Sequence, residues 1–227
     1  MDLLQEIRDR TEYMFDAWRD VYRLGDEDMR YVLGDPWDPD EKRAREELGR
    51  PCLSLDELGQ YINQRINDVR QNKRAIKIGP EAAGANDRDA ELRADIIRTI
   101  EGKGGIQAYI SGYENAVQRG FGFWAVGKRY VSEESFDQEL YLRHLPNPKN
   151  VLIDPDAIEP AASDMRYAAI FQDIPRNEFR KRFPRAQLVD FTPDHMTRYP
   201  TWVKERTIMV CEAWKIIQTP AKLLLVG

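Results

Sequence analysis

The sequence predicts an α+β fold, with N-terminal helices packed on a mainly antiparallel β region. Three observations carry this. Up to Gly120, apolar residues recur at three- and four-residue spacing, the period of a helix with one packed face. Beyond Gly120 the period falls towards two, and aromatic and β-branched residues gather in short runs divided by Pro, Asn and Asp. Helices first and strands second also differ from the strict alternation that builds a parallel, doubly wound sheet. A mainly helical region over 1–120 and a mainly β region with one short helix over 121–227 are expected, together forming one continuous unit.

The elements follow in order. Residues 2–24 read as an amphipathic helix with Leu3, Ile7, Met14, Trp18 and Val21 on one stripe, ended by Gly25. The stretch LGDPWDPDEK reads as turn, because residues before proline are pushed out of the helical region. Ser54-Leu-Asp-Glu57 has the pattern of a capping box, and Leu55, Leu58, Ile62, Ile66 and Val69 carry a helix to about Asn72. Ala75–Ile78 reads as a short strand closed by Gly79-Pro80. A helix from about Asp87 to Glu101 presents Leu92, Ile96 and Ile100 on one face. Gly102-Lys-Gly-Gly105 breaks or kinks it, and Ile106, Tyr109, Tyr113 and Val117 resume the pattern up to Gly120. Strands are expected at Phe121–Val131, Glu139–Leu145, Val151–Asp154, Tyr167–Gln172 and Thr207–Ile217. One short helix starts at Pro175, a residue suited to a first turn, and stops before Pro184.

Composition narrows the function classes. The chain has 227 residues, 42% of them hydrophobic, so it can bury a core and disorder is not the default. Its net charge is −5, with fifteen acidic against nine basic residues in positions 1–50 and near balance thereafter. A protein that grips DNA unaided needs a basic excess to neutralise phosphates, and this one lacks it. A protein that lets DNA slide past has no such requirement. Cys52 and Cys211 form no CxxC pair and read as free thiols of a reducing compartment. The opening MDLLQEIRDR has an acid at once and no apolar run, so no secretory signal is expected. No stretch approaches the ~20 apolar residues of a membrane helix, and no membrane partner is expected.

Several motifs imitate chemistry. Gly122-Phe-Trp-Ala-Val-Gly127-Lys128 matches GxxxxGK, but bulky strand-forming residues stand where a phosphate loop must turn its N–H groups inward. Residue 129 is Arg where Ser or Thr would meet Mg²⁺, and the segment follows a helix instead of a strand. It therefore reads as a strand with Phe123 or Trp124 buried. The overlapping Gly120-x-Gly122-x-x-Ala125 fails the dinucleotide test on the same context. Asp35, Asp38 and Asp40 lack the spacing and turn glycine of a calcium loop. Asp154, Asp156 and Glu159 could hold Mg²⁺ in a nuclease, but a strand end followed by a turn uses the same residues. His144 and His195 have no ligand partners at metal spacing, and no GxSxG elbow occurs. The basic run Arg176–Arg185 could meet DNA phosphates or an acidic neighbour, and a solvated helix face explains it as well. No catalytic, cofactor-binding or metal-ligating residue is expected.

A colinear series of segments gives a more specific signal. Tyr61-Ile-Asn to Asn72 leads into Ala75-Ile-Lys-Ile-Gly-Pro80, then Ala90–Glu101 and an Ala116-to-Trp124 turn reading Ala-Val-x-x-Gly-Phe-Gly-Phe-Trp. Phe136-Asp-Gln-Glu-Leu, Asn147-Pro, Val151-Leu-Ile-Asp154-Pro155 and Ser163-Asp164 come next. Phe179-x-x-x-Phe183-Pro184 and Val210-Cys-Glu-Ala-Trp214 complete the order. Over nearly the whole chain this succession resembles the N-terminal part of the portal proteins of short-tailed bacteriophages. The GKGG segment departs from that pattern.

The resemblance implies a structural subunit of a ring, usually twelvefold, at one capsid vertex of the virion. Its partners would be further copies of itself, the major capsid and scaffolding proteins, the terminase, a tail adaptor and the double-stranded DNA that passes through. The family's longer members carry channel helices beyond the point where this sequence stops, so the chain resembles the peripheral, wing-like region. Its last residues, with Leu223 to Val226, look like a hairpin cut after its second strand. The chain by itself is accordingly expected to be monomeric or weakly self-associating. Two other readings compete with the portal subunit: a phage metal-dependent nuclease, and a helical adaptor or scaffold module that forms no ring.

Overall fold

The computed structural model describes residues 3–72, 76–81, 84, 86–159, 161–188 and 202–218, and every structural statement concerns these. The α+β prediction holds: helices dominate up to Arg119, and two antiparallel sheets follow. The change falls at Gly120, which ends a helix with φ +82°, a left-handed conformation that glycine adopts without steric cost. Two compact units are formed, Val21–Pro148, and Met1–Asp20 together with Lys149–Gly227.

In the unit Val21–Pro148 the first element is the end of helix α1, Leu3–Val32, which does not stop at Gly25. A β-carbon on Gly25 would stand 2.9 Å from the Phe121 ring and 3.0 Å from the Arg119 carbonyl. This glycine permits a close approach instead of ending the helix. Tyr22 is buried one turn earlier, edge-on to Phe121 with ring centroids 5.3 Å apart. The buried face of α1 therefore passes through Tyr22 and Gly25, and Val21 is exposed.

The stretch read as turn contains a helix, α2, Pro39–Glu47. Proline at the first helical position costs no hydrogen bond, and the Asp38 carboxylate caps the Asp40 N–H at 2.9 Å. Helix α3 spans Leu58–Gln71 and buries Ile62 and Ile66, as its periodicity predicts. The capping box does not form. Asp56, not Ser54, accepts from the backbone at the helix start, bonding the Gly59 N–H at 2.8 Å, and Leu55 lies outside the helix in solvent. Residues 76–80 adopt no strand, and Ala75 lies outside the described residues.

Helix α4, Asp87–Ile100, is capped by the Asn86 side chain, which accepts from the Asp89 N–H at 2.8 Å. Its buried face is Ala90 and Ala94, while Leu92 and Ile96 stand in solvent. The kink expected at GKGG is present: Glu101–Gly105 leaves helical geometry at Lys103 and at Gly104, whose φ is +99°. Helix α5, Ile106–Arg119, then buries Ala108 and Gly112.

Strands β1, Trp124–Tyr130, and β2, Gln138–His144, form an antiparallel hairpin with Trp124 opposite His144 and Tyr130 opposite Gln138. Its base is seated on α5. Trp124 lies edge-on to Tyr109 at 5.0 Å, and His144 Nε2 is 2.5 Å from Ser111 Oγ. Its far end meets the kink, where Glu139 accepts from both Lys103 and Arg129. Hydrogen bonds from Lys103 and then Arg129 hold the Glu139 carboxyl below its ordinary value of 4.5. A lowered carboxyl stabilises the fold above the ordinary value, and the contribution is lost as pH falls through the lowered one.

The other unit is built on a three-stranded antiparallel sheet in the order β3-β4-β5, with β3 Val151–Ile153, β4 Tyr167–Pro175 and β5 Thr207–Lys215. Central strand β4 buries three successive residues, Ala169, Ile170 and Phe171, as a strand covered on both faces does. Phe171 meets Trp202 edge-on at 5.8 Å. The first turns of α1 cover part of this sheet. Met14 and Thr11 are buried there, and Trp18 donates its indole N–H to the Ile153 carbonyl at 2.9 Å. The short helix expected after Pro175 is α6, Arg176–Arg182. His195 and Leu223 to Val226 lie outside the described residues.

Candidate functional site

Among the described residues, most of the sequence motifs that imitate chemistry have structural occupations. Gly122 of the GxxxxGK match sits where a β-carbon would be 1.8 Å from the Gly112 carbonyl oxygen and 2.9 Å from the Ala116 nitrogen. It is glycine because the chain crosses the backbone of α5 at van der Waals contact. Gly127 has the Tyr141 ring against it, 2.6 Å from a built β-carbon. Between them runs strand β1, whose N–H groups are committed to or alternate with ladder bonds and form no cradle. One expectation needs correction. Neither aromatic of this segment is fully buried: Phe123 is half-buried, and Trp124 is 44% exposed because only its edge reaches Tyr109. Lys128 is exposed, so Lys128→Ala should move the unfolding free energy by less than about 0.5 kcal/mol. Titration calorimetry with ATP should show no binding that this substitution removes.

The carboxylates suggested for a nuclease hold a loop together. Asp154 is buried and accepts the N–H groups of Arg166 at 3.0 Å and Asp156 at 3.2 Å. Asp156 accepts from the Tyr13 hydroxyl at 3.0 Å, and Glu159 accepts from Ser163. Asp164 takes the N–H groups of Ile158 and Glu159, and the bond from Ile158 chiefly holds its carboxyl below the ordinary value. Among the described residues no group of three or more His, Cys, Asp and Glu could hold a metal ion. Asp154→Ala should cost about 2–4 kcal/mol, since it strands two backbone donors beside a buried site. Asp154→Asn, which keeps one acceptor, should cost less. Equal losses in urea denaturation would show that charge and not hydrogen bonding matters there.

The remaining candidates are also engaged. Asp35 pairs with Lys42 at 2.9 Å and Asp38 caps α2. In the basic run, Arg176 donates from Nε and Nη2 to the Lys204 carbonyl, and Arg182 pairs with Glu178 at 2.6 Å. Cys52 and Cys211 are both free thiols, and burial pushes the Cys211 thiol up to about 12, which makes it a poor nucleophile.

What the sequence did not reveal is where large apolar side chains meet water. In the unit Val21–Pro148, a groove of about 440 Å³ opens between α1, α3 and α5. Ile62 forms its floor, and Tyr31, Leu58 and Tyr61 flank it with half or more of their surfaces exposed. The β1–β2 hairpin carries a second apolar surface made of Val126, Tyr130, Val131, Phe136 and Leu140. A bare Phe at position 136, inside the polar run Ser-Glu-Glu-Ser-Phe-Asp, was the one available signal in the sequence. Exposed apolar side chains gathered on one element are suited to protein contacts.

The site is thus one of polar groups committed to turns and caps, beside apolar side chains left in solvent. The model of the phage P22-like portal protein family matches residues 8–227, and the chain belongs to that family. Phage portal proteins are structural components of the virion. No curated protein sequence matches the chain. No described helix is long and apolar enough to cross a membrane.

Proposed function

We propose that the protein serves as a subunit of the portal ring at a single capsid vertex, through which the genome is packaged and ejected and at which the tail is joined. The observation that carries this is the family match, which spans all but the first seven residues. The exposed apolar surfaces support it, because a ring subunit must offer faces to its neighbours. The lack of a basic excess supports it too, since a conduit gains nothing by holding DNA tightly. In this reading the partners are copies of the same chain, twelve in the complete ring, with the major capsid and scaffolding proteins, the terminase, a tail adaptor and passing double-stranded DNA. The subunit acts in the virion after assembly in the bacterial cytoplasm, and it catalyses nothing itself.

The nuclease reading has no support in the geometry, because Asp154, Asp156 and Glu159 are bonded within their own loop. An antibody raised against the chain, followed by gold labelling of purified phage particles opened at the tail, tests the portal reading. Label at one vertex per particle is the expected result. Label spread over the shell, or none on particles whose other structural proteins are labelled, would overturn it.

A further inference from the structure

We infer that the tip of the β1–β2 hairpin, with Phe136 as its knob, docks into the α1–α3–α5 groove of a second copy of this chain. The inference rests on the reading of the protein as a self-assembling subunit and adds which two surfaces meet. Phe136 is 95% exposed, the highest value among the large apolar side chains. A phenyl ring left wholly in water at the end of a hairpin gains free energy when a partner covers it. The groove supplies the complement, with buried Ile62 below and Tyr31, Leu58, Tyr61 and Val117 around it. Its volume of about 440 Å³ admits a phenyl ring and its neighbours.

The hairpin cannot satisfy its own groove. Its base rests at Tyr109 and Ser111, and at its distal end Glu139, paired with Arg129, is tied to Lys103 in the kink that precedes α5. The groove uses Val117 and Gln118 at the other end of that helix. With a rise of 1.5 Å per residue, α5 alone puts about 16 Å along its axis between Ile106, next to the kink, and Val117. No residue of the tip lines the groove. Knob and groove thus belong to different surfaces of one compact unit, the arrangement that makes a contact heterologous and lets it repeat from copy to copy.

One charge pair could form across this contact. The tip, residues 131–137, carries Glu133, Glu134 and Asp137 and no basic residue. The groove presents Arg65, which has no ion-pair partner among the described residues. Asp28 also lines the groove, and exposed Lys128 lies on the hairpin shank that would follow the tip in. Such a contact buries well under the roughly 1,000 Å² of a stable interface, so it is weak between isolated copies and is strengthened by closure of an assembly.

Cross-linking between singly substituted full chains tests the pairing. Cys52→Ser is made in both, then Glu134→Cys in one pool and Leu58→Cys in the other, with different affinity tags. Oxidation of the mixture should give a mixed disulfide dimer, while each pool alone gives about ten-fold less dimer or none. Phe136→Ala in the first pool should lower the mixed product about ten-fold. Arg65→Glu in the second should also lower it, and Glu133→Lys in the first should restore it. Glu134→Cys linking to itself as readily as to Leu58→Cys would overturn the inference in favour of hairpin-to-hairpin contact. No mixed product at any concentration would overturn it as well, whatever the gold labelling of virions shows. Conversely, mixed product with no vertex label would retain the contact and remove the portal reading.

Discussion

Gly122→Ala should destabilise the unit Val21–Pro148 by at least about 3 kcal/mol, because the added carbon has nowhere to go. A β-carbon there would lie 1.8 Å from the Gly112 carbonyl oxygen, 2.8 Å from the Gly112 carbonyl carbon and 2.9 Å from the Ala116 nitrogen. All three are backbone atoms of α5, which cannot rotate aside as a side chain can. Relief requires lifting β1 from the helix, which would also separate Trp124 from Tyr109. Urea denaturation followed by far-ultraviolet circular dichroism and tryptophan emission would read the loss. Gly102→Ala is the control, since nothing lies within 4 Å of the position. It should fall within about 0.5 kcal/mol of the parent. If both substitutions proved equally mild, the tight crossing of β1 over α5 would be wrong.

Phe171→Ala should cost about 3–5 kcal/mol in the other unit. Phe171 is 2% exposed in the central strand of the three-stranded sheet, and its ring meets Trp202 edge-on. Truncation removes the buried area, leaves a cavity that the paired strands cannot collapse, and loses the aromatic contact. Trp202 emission should shift to longer wavelength as water reaches it. Phe136→Ala in the isolated chain provides the contrast. The same substitution at a side chain that is almost wholly in solvent should change stability by less than about 0.5 kcal/mol. A large loss there would mean that the hairpin tip is packed within its own chain.

These contrasts mark how far the sequence could be read. Apolar spacing located α3 and α5, and aromatic and β-branched runs divided by Pro, Asn and Asp located all five strands, although β4 is covered on both faces and β1 buries no residue. Ile62 and Ile66 are buried as their spacing requires. The kink at GKGG was visible too, since consecutive glycines remove the preference for helical dihedrals. Errors arose where one residue type serves opposite purposes. Gly25 reads as a helix end and is a contact point, and Pro39 reads as a helix breaker and starts α2. On α4 the larger apolar residues suggested the packed face, yet Ala90 and Ala94 pack and Leu92 and Ile96 face solvent.

The candidate surfaces divide in the same way. The sequence by itself determined the α+β class, the switch at Gly120, the absence of a basic excess and the colinear pattern of the portal family. These are properties of order along the chain, and order is what a sequence holds. Only the tertiary structure decided that Gly122 is a crossing point and that Asp154 ties a loop. It also decided that Tyr31, Leu58 and Tyr61 border one groove. Those three residues are 27 and 3 positions apart along the chain and meet because α1 and α3 pack beside α5. A contact between distant segments depends on how their helices approach, and local spacing carries no record of that approach.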